Sequence, residues 1–385
     1  MLVILAPAAR SPWRRAARVR ASPDGGARGR ALHCDLHHLP ETHPMQRRPF
    51  IVAAAAVLAA PAVLRAQSLE KPKLSLGVGG KNLLYYLPLT VAEQLGYFKE
   101  EGLELTINDF AGGSQSLRAL VGGSVDVVSG AFEHTVNMQA KGQRLKAFVL
   151  QGRAPQIVLG INPKTMPNYK SVTDLKGKKI GVTAPGSSTN VMANFVLARA
   201  GLKPSDVSFV GVGASSGAVA AMRAGQIDAI SNLDPVITLL QRSGDLKIVA
   251  DTRVVAEADK IFGGPMPAGC LYAKEEFVAK NPATAQALAN AIVRADKWIR
   301  AAGAADIIKV VPEAYLLGDR AVYIDAFLAA KGALSPDGMI PDKGPQTAFN
   351  ALASIDAEIA KAKLDLGAVY TNDFVKKANA KYPTA

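Results

Sequence analysis

From Leu74 to Ala250 the chain alternates short apolar strands with helical stretches, and it does so in two separate runs. In the first run Leu74, Leu76 and Val78 recur with period two, and Val91, Leu95 and Phe98 follow at helical spacing. Leu103, Leu105 and Ile107 form the next strand, and Leu117, Leu120 and Val121 mark a helix. Strands at Val125–Ser129 and Leu145–Leu150, with a helix across 132–141, complete the run. A second run starts after Asn162, with strands at Lys179–Thr183, Val207–Val212, Ile227–Ser231 and Leu246–Ala250. Helices over 187–201, 215–224 and 235–243 separate those strands. Two runs of this kind predict an α/β protein with two open sheets.

After Pro265 the pattern changes. One strand-like stretch, Gly269–Ala273, leads into helices only, with Leu288, Ile292, Ala295 and Ile299 on one face and Phe349, Leu352, Ile355 and Ile359 on another. A lone strand must join some sheet, and the simplest partner is the first. The chain then crosses between lobes twice, near Gly152–Pro155 and near Gly263–Pro267, both rich in Gly and Pro. The expected division is lobe I from 67–152 plus 266–385, including a C-terminal helical tail, and lobe II from 153–265. Asp234-Pro235 and Asn281-Pro282 each place a helix-capping residue before a Pro at the first helical position.

Residues 1–66 carry 10 Arg and no Lys against Asp24, Asp35 and Glu41, a local charge of +7 within the formal +13 of the 385-residue chain. That leaves +6 for the rest, with no Lys/Arg cluster to form a phosphate stripe, so nucleic acid is not an expected partner. Arg47 and Arg48 precede an apolar run from Phe50 to Leu64 that ends at Ala66, the layout of a secretory signal peptide over 45–66. The Arg pair also resembles the twin-arginine export signal. Residues 1–44, aperiodic and rich in Arg, Pro and Gly, read as an upstream extension outside the working protein. Past residue 66 only Cys270 and His134 remain of the two Cys and five His. A His/Cys zinc site, a Cys–His nucleophile pair and an internal disulfide therefore lack parts there, and no cofactor is expected.

In open α/β sheets ligands collect outside the carboxyl ends of the strands. Here those ends lead into small polar loops: Gly79-Gly80-Lys81-Asn82, Gly112-Gly113-Ser114-Gln115 and Ser129-Gly130-Ala131-Phe132 in the first run. Pro185-Gly186-Ser187-Ser188-Thr189, Gly213-Ala214-Ser215-Ser216 and Asn232-Leu233-Asp234 are their equivalents in the second. Free N–H groups at helix starts bind anions, and Ser and Thr hydroxyls add donors; each loop taken singly reads better as a set of helix caps, and what favours a site is the convergence of six such loops onto one interdomain cleft. Lys81 is either an anion partner or a solvated cation, and Arg153 either an interlobe ion-pair partner or a ligand clamp. Tyr85 and Phe132 are candidates to stack on a planar ligand. His134 reads best as a partly exposed helix-start residue paired with Glu133, with ligand donation the alternative.

Four of these segments carry a family resemblance. Leu87–Glu104 (LPLTVAEQLGYFKEEGLE) resembles the opening helix of periplasmic solute-binding proteins for nitrate, taurine, aliphatic sulfonates and thiamine-precursor pyrimidines. Phe110–Ser129 (FAGGSQSLRALVGGSVDVVS) is similar to the next segment of that family, and Leu175–Thr189 and Ala221–Ala229 to its second domain. The resemblance implies a two-lobed type II periplasmic binding protein fold, a small anionic or planar solute held at the hinge, and delivery to an inner-membrane ABC permease by a monomer. Sulfonate binders of the family often carry His shortly after the Gly-Ser-Ser, where this chain has Asn190.

Three other functions compete. A pyrimidine-precursor synthase shares the fold, but resembles this chain only generally and uses a Cys-rich iron-binding motif and a sacrificial His. A ligand-sensing transcription factor would need a helix-turn-helix, and residues 1–66 hold no amphipathic helix pair. A binding protein for another importer class or a sensor kinase would share every feature above. The expected function is solute binding without catalysis.

Overall fold

The computed structural model describes residues 68–383. Ten strands form two five-stranded sheets. The first contains β1 (Lys73–Gly79), β2 (Glu104–Phe110), β3 (Val127–Ala131), β4 (Leu145–Leu150) and β10 (Gly269–Lys274), in the order β2-β1-β3-β10-β4. The second contains β5 (Val158–Ile161), β6 (Lys179–Val182), β7 (Ser208–Gly211), β8 (Ala229–Asn232) and β9 (Lys247–Asp251), in the order β7-β6-β8-β5-β9. The lone strand after Pro265 does join the first sheet, antiparallel to both β3 and β4.

β5 was not among the expected strands. It is four residues long, buried throughout, and lies antiparallel between β8 and β9. A fully covered strand has no polar face, so VLGI offers no period-two signal. The two sheets thereby share one device. In each, the strand that follows a crossover enters antiparallel to its neighbours, which leaves the strand–helix turns of both sheets facing one cleft.

Helices cover the sheets by burying one apolar face. Leu288, Ile292, Ala295 and Ile299 of the long helix Pro282–Ala301 are all buried, as their spacing predicts. That helix begins at Pro282 as expected, but its cap comes from elsewhere: the Glu70 carboxylate accepts from the N–H groups of Ala283 and Thr284, both at 3.0 Å. Asn281 instead donates its side-chain amide to the Phe277 carbonyl. The face from Phe349 to Ile359 is split. Helices Gly344–Ala353 and Ala357–Lys361 are separated where Asp356 caps the second, accepting from the Glu358 N–H at 2.9 Å. The helix after β8 starts at Val236, one residue later than expected. No described helix is long and apolar enough to cross a membrane. The expectations for residues 1–66 lie outside the described residues.

Candidate functional site

The small polar loops of the two lobes meet directly. The Ser114 N–H donates to Ser187 Oγ at 3.0 Å, Ser187 Oγ donates to Ser114 Oγ at 3.2 Å, and Ser114 Oγ donates to the Pro185 carbonyl at 2.9 Å. Asn82 Nδ2 donates to the Ala214 carbonyl at 2.8 Å, and the Leu84 N–H to the Asp234 carbonyl at 3.0 Å. Glycine is required for this approach. A Cβ on Gly112 would stand 2.8 Å from the Ala184 Cβ, and one on Gly80 would stand 2.5 Å from the Ala214 Cβ. These contacts lock the rim of the cleft.

Behind the rim lies a small, partly open cavity. Tyr85 and Glu133 line it from the first lobe, Ser188, Val191, Met192 and Phe262 from the second, and Pro155, Ile157 and Met266–Ala268 at the two crossovers. The closed lobes leave only about 10 Å³ for the centre of a water-sized body. A molecule of several heavy atoms therefore enters only when the lobes part, and the rim can close over it again only as flexible lining side chains such as Met192 and Met266 move aside. A larger groove of about 430 Å³ runs outside the edge strand β2, beside Phe98, Leu105 and Ile107. It lies away from the strand–helix turns and collects none of their polar groups, so the interlobe cavity is the better candidate.

The electrostatics of the cavity are acidic. Glu133 is buried, and among the described residues its carboxylate has no ion-pair partner. Burial pushes its pKa up to about 7, slightly offset by its own backbone N–H. His134 is also buried, which corrects the expected half-exposed pairing with Glu133. Its Nδ1 lies 3.1 Å from the Tyr272 hydroxyl, and desolvation pushes its pKa down to about 4. Cys270 is buried beside them, its thiol pushed up by desolvation first and by the Glu133 charge second. Among the described residues no cluster of three or more His, Cys, Asp or Glu is placed to hold a metal ion.

The remaining expected site residues divide by what already occupies them. Lys81 is paired with Glu93, at 2.6 and 2.7 Å to its two oxygens, so it is neither solvated nor free for an anion. Arg153 donates to the Gly332 carbonyl on the outer surface, neither a clamp nor an interlobe ion pair. The N–H groups of Gly80 and Lys81 donate to Asp109, that of Gly186 to the Asn190 side chain, and that of Ala111 to Gln115. Thr189 Oγ1 accepts from the Thr183 N–H, Asn232 bridges to the Gly213 carbonyl, and Asp234 holds Arg253 and Thr238. Ser215 is exposed. Gly113 packs beside the His134 ring, and a Cβ on Gly130 would meet the Tyr272 ring at 2.9 Å. Ala131 and Phe132 belong to the core, with Phe132 edge-on to Tyr370 and not in the cavity lining. Tyr85 and Ser188 are the expected residues that reach the cavity. Glu133, Met192, Phe262 and Met266 line it without having been expected to. A Glu two residues past a buried strand end was the available signal.

Comparison with known proteins bears on this geometry. A solved structure from Bordetella bronchiseptica RB50 is 60% identical, with a TM-score of 0.81, and covers 82% of this chain and 100% of its own. The alkanesulfonate-binding protein SsuA from Xanthomonas axonopodis pv. citri, bound to MOPS, is 20% identical with a TM-score of 0.61 over 79% of this chain and 100% of its own. YtlA of Bacillus subtilis (strain 168), named as a candidate binding protein, is 23% identical over 236 residues, 60% of this chain and 68% of the relative. The 4-amino-5-hydroxymethyl-2-methylpyrimidine phosphate synthase THI5 of Saccharomyces cerevisiae is 25% identical over 227 residues, 56% of this chain and 64% of the relative. The sequence pattern of the family described as NMT1/THI5 like matches residues 84–303, which take in every strand but β1 and the whole lining of the interlobe cavity, and the chain belongs to that family.

Proposed function

We propose that this protein is the solute-binding component of an ABC-type importer, exported to the periplasm, where it captures a small solute between its lobes by hinge closure. It acts as a monomer and hands the solute, chemically unchanged, to an inner-membrane permease. The observation that carries this reading is the cavity itself: it is lined from both lobes and both crossovers, and it is closed by hydrogen bonds running directly from lobe to lobe. A ligand that touches both lobes stabilises the closed form by its extra contacts there, which is how hinge proteins of this kind work; periplasmic binding proteins are a standing example of the motion. The likeness to SsuA, named as a binding protein, supports the reading at the level of fold.

Among the described residues nothing in the cavity activates a nucleophile. Cys270 is pushed away from ionisation, and the Nδ1 of His134 is taken by the Tyr272 hydroxyl. Of the two solute types expected, an apolar or planar body has more support than an anion. The N–H groups of Gly80, Lys81, Ala111, Ser114 and Gly186 are taken by Asp109, Gln115, Ser187 and Asn190, which leaves an anion chiefly the first N–H groups of the helix Ser188–Arg199. The test is a thermal-shift screen of small solutes, followed by mass spectrometry of the bound compound after release. Recovery of an unaltered compound is expected, and turnover would overturn the reading. Terminal sequencing of periplasmic material should find a chain starting at Gln67, and retention of residues 1–44 would contradict export through the 45–66 signal.

A further inference from the structure

Glu133 stands out within that cavity, and any part it plays toward a solute rests on the cleft being the solute site. Its side chain is 3% exposed, lines the cavity, and has no hydrogen-bond or ion-pair partner from another side chain among the described residues. The groups that face it are Tyr85 and Tyr86 before the helix Leu87–Gln94, and Cys270 and Tyr272 on β10. His134 follows it on its own helix, bonded to Tyr272, and Lys141 lies just past the far end of that helix. From the second lobe and the crossovers come Ser188, Met192, Ile157, Phe262 and Met266, none of them charged. Lys81 is engaged by Glu93, and Arg253 by Asp234 and Asp251.

We propose that Glu133 is the specificity-determining group of the cleft and that the solute presents an N–H donor to it from an apolar, planar body, as an aromatic amidine or amine does. The physical argument is one of matched burial. A carboxylate taken out of water without a partner is costly, and a charge-assisted hydrogen bond from a bound N–H removes that cost in the closed state alone. An anionic solute would meet the same carboxylate with no cation to offset it. The apolar lining and the Tyr85 ring then accept the rest of the molecule.

The test uses matched cations and anions as probes, benzamidine and benzylamine against benzoate and benzenesulfonate, by calorimetry from pH 5 to pH 8. Because burial between the closed lobes pushes the Glu133 pKa up to about 7, the affinity for benzamidine should rise with pH until the carboxyl of the free protein is ionised and then level off. Glu133→Gln should flatten that profile and weaken benzamidine by roughly tenfold or more at pH 8, while circular dichroism shows an unchanged fold. Tighter binding of the anions, with affinity falling as pH rises, would overturn the N–H assignment and leave the cleft as the site. Failure of both cations to bind at millimolar concentration would also overturn it. The thermal-shift screen judges the cleft separately, since a hit there needs no donor.

Discussion

Replacing Ser187 with Ala isolates the lobe-to-lobe latch. Ser187 opens the helix Ser188–Arg199 but makes no side-chain cap to it, so its hydroxyl serves the other lobe. Without that oxygen the Ser114 N–H, buried in the closed form, loses its acceptor, and the Ser114 hydroxyl loses one of its two partners. A buried donor left unpaired costs about 1–3 kcal/mol, whereas in the open form water replaces the lost oxygen at little cost. The closed form is therefore destabilised relative to the open one by that amount, and solute affinity should fall roughly 5- to 150-fold. Calorimetry with the solute from the screen measures the loss, and amide exchange at Ser114 in the bound protein should quicken. Ser216→Ala, at an exposed helix start in the same lobe, should change affinity by less than about 0.5 kcal/mol. Equal affinities for the wild type and Ser187→Ala, with exchange at Ser114 unaltered, would refute the latch.

Gly112→Val should act as a wedge. The Gly112 backbone is extended and accepts any side chain, so the clash with Ala184 at 2.8 Å is felt only on closure, and affinity should fall on the order of 10- to 100-fold in a normally folded protein. Glu133 and His134 should tilt the pH dependence of stability in opposite directions. Glu133, raised in the folded state to about 7 from its ordinary 4.5, contributes stability below 4.5 that is lost as pH rises to 7. His134, lowered to about 4 from 6.5, contributes stability above 6.5 that is lost as pH falls to 4. Each amounts to about 3 kcal/mol at most, so the pair nearly cancel in the wild type. Chemical unfolding at pH 5 and pH 7 should show Glu133→Gln gaining stability with pH and His134→Asn losing it; parallel slopes in both variants would contradict the burial of these two groups.

What was legible in the sequence is what periodicity encodes. The partnership of Gly269–Ala273 with the first sheet followed from a strand's need for neighbours, and the buried face of Pro282–Ala301 from its spacing. β5 was hidden because a short strand covered on both faces has no alternation. The loops were correctly expected at the carboxyl ends of the strands, yet their chemistry depends on partners that no local pattern reveals. Gly186 gives its N–H to Asn190 four residues on, and Lys81 finds Glu93 a helix away. His134 and Glu133 were the hardest to place. Adjacent residues of opposite charge type suggested a surface pair, but both are buried, and β10, arriving more than a hundred residues later, supplies the Tyr272 hydroxyl that claims the imidazole.

The central claim is that solute bound between the lobes holds them closed. The interlobe distance in solution tests it, read by electron–electron resonance between spin labels at the exposed Lys99 and Lys170, one on each lobe. Addition of the solute should collapse a broad distribution onto one short distance, and Gly112→Val should keep it broad at the same solute concentration. A solute that binds to saturation while the distribution stays as it was would contradict the account.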